Sequence, residues 1–419
     1  MTGKKKALCI CVPFAAALLA GLLVWLLWPR QDDRVWFGEE ALTREETLSY
    51  KSGYDQVIQP LCRSALEGED LLLYTALLRA YEQNCPSVRL YTEKPYTEED
   101  VFTLLSMVKA DYPNFFTSQL RDRFFIDRDE AGFLTVEIPG IERQYIEDEA
   151  WIEVGREILA GLPRRQLPAE AGGEAARAYD IYCYLTNTVS YRAEGDTEIG
   201  LGDNFTLKGA LADGIAQCNG IAGAFQLLCE LENITCYKVF YRGKDVGREY
   251  GHVWNIVRLD GQWVHVDITA AVQFKQVQAD YFAGEGMEPD IVIPDYFGRS
   301  DAETLGDTLR LNGIFDGLAP ACPTTLDKAP FYDLLAGYGE PTEDLARKAG
   351  ELLAGRQNAA SPALAIRFPD DGALGGFQEN LFGGQGYVAL LMEGLPYSAA
   401  FHMFKNEGTL YLYLQPQRE

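Results

Sequence analysis

Cys218 in "AQCNGIAGAF", and His252 and Asp267 in "HVWNIVRLDGQWVHVDIT", are the residues of this chain whose types and spacing can do covalent chemistry. A thiolate attacks a carbonyl carbon. An imidazole keeps the thiol deprotonated and later protonates the leaving amine, and a carboxylate holds the ring in the right tautomer. The chemistry these three residues would perform together is nucleophilic acyl transfer at amide or peptide bonds.

Such chemistry requires elements that bring the groups together. Asp213 and Gly214 signal a turn, and beyond Cys218 the apolar positions Ile221, Ala224, Phe225, Leu228 and Leu231 keep one helical face as far as Asn233, a left-handed cap. Cys218 is therefore expected in the first turn of a helix, where unpaired amides and the helix dipole favour a thiolate. Asp260 and Gly261 favour a type I′ hairpin turn with Leu259 opposite Gln262. This register sets Trp254 against Asp267 and His252 against Thr269, so His252 and Asp267 become diagonal neighbours on one face. Trp254, Ile256, Arg258, Trp263 and His265 share that face. The opposite face, Val253, Asn255, Val257, Leu259, Val264, Val266 and Ile268, is nearly all apolar and is expected against a core. His265 stands as a replacement for His252 if the turn is longer, and Trp254 is placed to wall the site.

These residues resemble the transglutaminase-like superfamily, whose core has a papain-like fold. The resemblance rests on "CNGIA" at Cys218, "GHVWNIVRLDGQWVHVDIT" from Gly251, "SYR" around Tyr191 and "DYF" at Asp280 to Phe282, and covers about residues 175–285. It implies a catalytic triad of Cys218, His252 and Asp267. It implies an oxyanion site formed by the Cys218 amide and a side-chain donor upstream, for which Tyr191 is the candidate. Ala222 fits the family pattern, whereas Ile221 replaces an aromatic common there. The implied fold is α+β: a helix bearing the cysteine packed on an antiparallel sheet, with smaller α+β modules on either side. No cofactor and no metal are implied.

The bulk properties bound the rest. At 419 residues, two or three domains are expected. A formal net charge of −25 with no basic stripe argues against nucleic acid, and an acidic exterior would draw in cationic substrates such as lysine-bearing peptides; the expected partner is a protein or peptide substrate. Lys4, Lys5 and Lys6 precede an uncharged stretch from Ala7 to Trp28, long enough for a single membrane span. Lysines ahead of the span favour a cytoplasmic N-terminus, which leaves the remaining chain outside the cytoplasm. The end of the stretch, "VWLLWPRQDD", lacks the small-residue pattern of a cleaved signal.

Seven of the nine cysteines follow the span, with no CxxC pair and only three histidines in the chain, which argues against structural zinc. The expected boundaries are residues 1–30 for the anchor, 31–165 for an N-terminal α+β module, 166–300 for the catalytic domain and 301–419 for a C-terminal α+β module. In that last module, "PALAIRF", "GYVALLM" and "TLYLYL" read as strands, His402 lies in the tail, and the "GALGG" and "FGGQG" runs read as turns. A non-catalytic surface binding module on the same fold is the alternative function.

Overall fold

The computed structural model describes residues 33–115, 124–137, 150–164, 173–192, 203–241, 251–283, 291–306, 309–356, 363–383, 386–393 and 401–414. The expected span from Ala7 to Trp28 lies outside them. Among the described residues no helix is long and apolar enough to cross a membrane. Two compact units are formed. One comprises Met1–Lys51, Leu66–Leu105 and Gln119–Glu142; the other comprises Ser52–Ala65, Ser106–Ser118 and Arg143–Glu419.

The first unit is built on an antiparallel sheet of β1 (Arg34–Phe37), β2 (Glu40–Thr43), β3 (Ser87–Tyr91), β4 (Phe125–Arg128) and β5 (Phe133–Glu137), in the order β2-β1-β3-β5-β4. Thr43 and Glu46 form a capping box that starts the short helix α1 (Arg44–Leu48). Helix α2 (Gly68–Glu82) is buried from Leu72 to Tyr81. Helix α3 (Glu98–Asp111) opens on Thr97, whose hydroxyl accepts from the Asp100 amide, and its residues from Ser106 onward belong to the second unit. These elements are of the mixed α+β kind expected for residues 31–165.

The second unit holds the cysteine-bearing helix. Helices α4 (Ala150–Gly161) and α5 (Gly173–Thr188) precede a two-stranded parallel ladder of β6 (Ser190–Tyr191) and β7 (Ile215–Ala216). Helix α6 (Cys218–Leu231) follows at once, and Asn233 adopts φ 60° behind it, as the left-handed cap requires. Ala222 of α6 packs with Val239, Phe240, Val253 and Trp254, on β8 (Cys236–Phe240) and β9 (Val253–Leu259). Burying Phe225, Leu227 and Leu228 completely contributes about 1.5–3 kcal/mol per side chain. Glycine permits the close contacts on both ends of the helix: a Cβ at Gly155 of α4 would lie 2.7 Å from Leu231 Cδ1.

The sheet under α6 runs β11-β10-β9-β8, with β10 (Gln262–Val266) and β11 (Phe297–Arg299). Gln262 pairs with Leu259 and Val266 with Asn255, the expected register, and Asp260 and Gly261 have φ of 49° and 87°. The ladder stops at the Asn255–Val266 pair, three pairs short of the expected His252–Thr269 pair. Asp267 leaves β9 to donate its amide to the Tyr296 carbonyl, and helix α7 (Ile268–Ala283) begins, so neither Asp267 nor Thr269 has a partner on β9. Nor is one hairpin face free, because Trp254 and Ile256 are as buried as Val253 and Val257.

After the short helix α8 (Asp301–Thr304), the described residues up to 341 carry single 3₁₀ turns and β12 (Leu334–Leu335). Beyond β12 come α9 (Thr342–Gly355) and β13 (Ala363–Arg367), the latter the strand expected from "PALAIRF". "GALGG" is the start of helix α10 (Asp371–Phe382), because Asp370 caps it by accepting from the Ala373 amide. "GYVALLM" forms helix α11 (Tyr387–Leu391) against α9, where a Cβ at Gly350 would meet the Leu390 carbonyl at 2.6 Å. The sheet β12-β13-β15-β14 is completed by β14 (Phe401–Asn406) and β15 (Thr409–Leu414), with His402 opposite Tyr413.

Candidate active site

Cys218 is the first residue of α6, and Gln217 before it is extended with no side-chain cap. The first-turn amides are thus left for whatever sits at the helix start. Two backbone segments lie on this turn. The Gln217 amide donates to the Asn204 carbonyl at 2.7 Å, and a Cβ at Gly220 would meet the Thr206 carbonyl at 2.7 Å and the Asn204 carbonyl at 3.0 Å. A Cβ at Gly223 would lie 2.5 Å from the Pro113 carbonyl. Asn219 donates to the Phe205 and Phe115 carbonyls at 2.8 and 3.3 Å, locking both segments to the helix. Buried Lys238 donates to the Tyr112 and Pro113 carbonyls at 2.6 and 3.3 Å.

His252 lies immediately before β9, and its Nε2 is 2.7 Å from Asp267 Oδ2. The other ring nitrogen, Nδ1, is then the one available to the Cys218 thiol, with which the ring hydrogen-bonds. Asp267 owes its position to the helix it starts: its second oxygen accepts the Ala270 amide at 3.0 Å, so one carboxylate caps α7 and holds the imidazole. The structure therefore brings Cys218, His252 and Asp267 together, through a helix start rather than the strand diagonal.

The electrostatics separate this thiol from the others. Burial pushes Cys218 up, but the His252 hydrogen bond and charge, the Lys109 charge and the Val253 amide bring it below the ordinary thiol value. Burial disfavours a charged His252, yet Asp267 and Cys218 hold its pKa well above that of free histidine. Asp267, despite burial, is held below the ordinary carboxylate value mainly by His252. Burial raises Cys62, Cys85 and Cys236, and takes Cys322 up to about 12. All seven cysteines among the described residues are free thiols.

Trp254 is buried and its ring stacks on His252, with centroids 5.6 Å apart and planes at 19°. Its indole N–H donates to His265 Nδ1 at 2.9 Å. That contact leaves Nδ1 bare, so the proton is on Nε2, which is 2.9 Å from Asp301 Oδ1. Asp301 accepts the Cys322 amide with its other oxygen. His265, Asp301 and Cys322 do place donor atoms within 4.8 Å of one another. A metal on Nε2 would need the proton moved to Nδ1, where it would oppose the indole N–H, and Cys322 is held as a thiol. The set fits a hydrogen-bond relay and not a metal site. With both nitrogens engaged, His265 does not stand in for His252.

Tyr191 pairs with Ala216, two positions before Cys218. His402, on β14, belongs to the C-terminal sheet. Sequence reasoning missed Asn219, Lys238 and Lys109. A helical asparagine and two lysines carry no periodic signal; Asn219 adjoins Cys218 in sequence, and the fold brings the two lysines within electrostatic reach of it.

Residues 164–268 match the family model of the transglutaminase-like superfamily, and this segment carries a transglutaminase-like core. The chain is 27% identical over 108 residues to kyphoscoliosis peptidase of Mus musculus and 35% identical over 60 residues to that of Homo sapiens. These matches cover 24% and 12% of this chain and only 16% and 9% of the relatives' length. Among solved structures, a TGase is similar at 10% identity with a TM-score of 0.23, covering 44% of this chain and 51% of its own. A protein described as a cysteine protease from Cytophaga hutchinsonii is similar at 12% identity with a TM-score of 0.20, covering 35% and 61%.

Proposed function

We propose that this protein is a membrane-anchored cysteine enzyme, its catalytic domain outside the cytoplasm, that cleaves or transfers acyl groups at amide bonds of a protein or peptide substrate. The observation that carries the reading is the contact of His252 Nε2 with Asp267 at 2.7 Å, which leaves Nδ1 to a thiol whose pKa is lowered while other thiols of the chain are raised. The uncharged stretch before Arg30 supports the anchor.

In this mechanism the Cys218 thiolate adds to the carbonyl carbon. The Cys218 amide and the Tyr191 hydroxyl hold the developing oxyanion. The tetrahedral adduct collapses as His252 passes its proton to the departing amine, leaving a thioester. A water or an acceptor amine then attacks, His252 takes its proton, and the thiolate departs. Asp267 holds the ring throughout with its Nε2–H, so that Nδ1 faces the sulfur. The names of the curated relatives favour water as the acceptor.

A screen of amide substrates with and without added amine, on wild type and Cys218→Ala, tests this. Cys218→Ala should abolish turnover while the melting temperature stays nearly unchanged. Retained turnover in a strongly destabilised variant would reduce Cys218 to packing. Absence of turnover in wild type, with Cys218 no more reactive than the other thiols, would favour the binding module.

A further inference from the structure

Lys109 is the unassigned charge closest in role to the nucleophile. It stands in the last turn of α3, within the unit that contains Cys218, and is half-buried. Its Nζ lies 4.9 Å from the centroid of the Phe240 ring. Phe240 pairs with Val253 across β8 and β9, and the Val253 amide is the one that bonds the Cys218 sulfur. The ammonium thus lies against the cross-strand partner of Val253, near enough to Cys218 for the two charges to act on each other.

Among the described residues no carboxylate pairs with Lys109 and no acceptor takes its protons. Its neighbour Lys238 differs: that ammonium is buried and spent on the carbonyls of Tyr112 and Pro113 and on Asn219. A half-buried ammonium with only an aromatic face beside it has donors to offer an incoming anion. The surrounding chain makes this informative. At a net charge of −25 the molecule as a whole repels anions, so a carboxylate reaching the sulfur needs a local cation.

Resting on the reading of Cys218 as the nucleophile, we propose that Lys109 forms an anion subsite beside it, so that the acyl donor is one carrying a carboxylate close to the amide that is attacked. An acidic side chain or a terminal carboxyl next to the scissile bond has this chemistry. Lys109 binds that group against the Phe240 ring and orients the carbonyl toward the sulfur.

The test needs no substrate. Iodoacetamide and iodoacetate alkylate the thiolate identically, the S–C bond forming as iodide leaves with the C–I electrons, but only iodoacetate brings a carboxylate. On the full-length chain, the rate of each at Cys218 is followed by peptide mass spectrometry in wild type, Lys109→Met and Lys109→Arg. The ratio of the iodoacetate to the iodoacetamide rate should fall on the order of tenfold in Lys109→Met and be kept in Lys109→Arg. A mere effect on the thiol pKa changes both rates alike and leaves the ratio untouched. An unchanged ratio in Lys109→Met, with the fold intact by melting, overturns the subsite. Should Lys109→Met fail to fold, Lys109→Gln supplies the same ratio. Slow iodoacetamide reaction of Cys218 in wild type would instead remove the nucleophile reading, so the two failures are separable.

Discussion

At the scale of single residues, each member of the site is shaped by groups that do something else as well. Asp267 is the clearest case, since the same carboxylate caps α7 and binds the His252 ring. The pH dependence follows from its direction of shift. Asp267 is lowered, so its contribution to stability is present above the unfolded carboxylate pKa of about 4 and is lost as pH falls through the folded value. His252 is raised, so its contribution is full below about 6.5, the unfolded value, and is lost as pH rises through the folded one. Asp267→Asn retains an oxygen for the cap but not the charge. Its deficit in melting temperature relative to wild type should be largest between about pH 4 and 6.5 and shrink in alkali. A deficit independent of pH would mean that the pair adds no charge interaction.

The elements explain which parts of this arrangement could be read from the chain. The helix starting at Cys218, the cap at Asn233 and the Asp260–Gly261 turn were legible because each depends on local preferences: apolar spacing, a left-handed residue and positive φ. Hairpin register was legible for the same reason. Where β10 ends was not, because a carboxylate at Asp267 both permits a strand and starts a helix, and the choice depends on Tyr296 and His252, distant in sequence. "GYVALLM" misled similarly: its apolar run is compatible with either element, and the close bed offered by Gly350 on α9 decides for a helix. The relay from Trp254 through His265 to Asp301 was equally invisible, joining a strand to a helix far downstream. Trp254 stacks on the His252 ring, so His265 acts as a positioning residue. His265→Gln should slow Cys218 alkylation by about tenfold through a displaced imidazole and lower stability by about 1–3 kcal/mol for the broken buried network. Trp254→Phe should slow the alkylation similarly by removing the indole N–H. Loss of stability with an unchanged alkylation rate would restrict the relay to structure.

Over the whole molecule, the second unit is stitched together by buried polar groups. Asp295, its side chain wholly buried, accepts from Tyr332, Thr409, Tyr411 and Asn406 at 2.6 to 2.9 Å. Those donors come from β14, β15 and the segment before β12, so one carboxylate ties the C-terminal sheet to the residues just before β11. Four donors compensate the cost of burying that charge. The C-terminal residues thereby become part of the body that carries the site, although their strands and helices suggested a separate module. Everything proposed for this body depends on Cys218 being a thiolate paired with a protonated His252. The direct measurement is the rate of iodoacetamide labelling against pH, read for Cys218 and, as an internal standard, for the partly exposed Cys85. Cys218 should label fast at about pH 6 while Cys85 labels only at higher pH, on the raised side of the ordinary thiol range. Two curves rising together in that ordinary range would contradict the ion pair and the enzymatic reading with it.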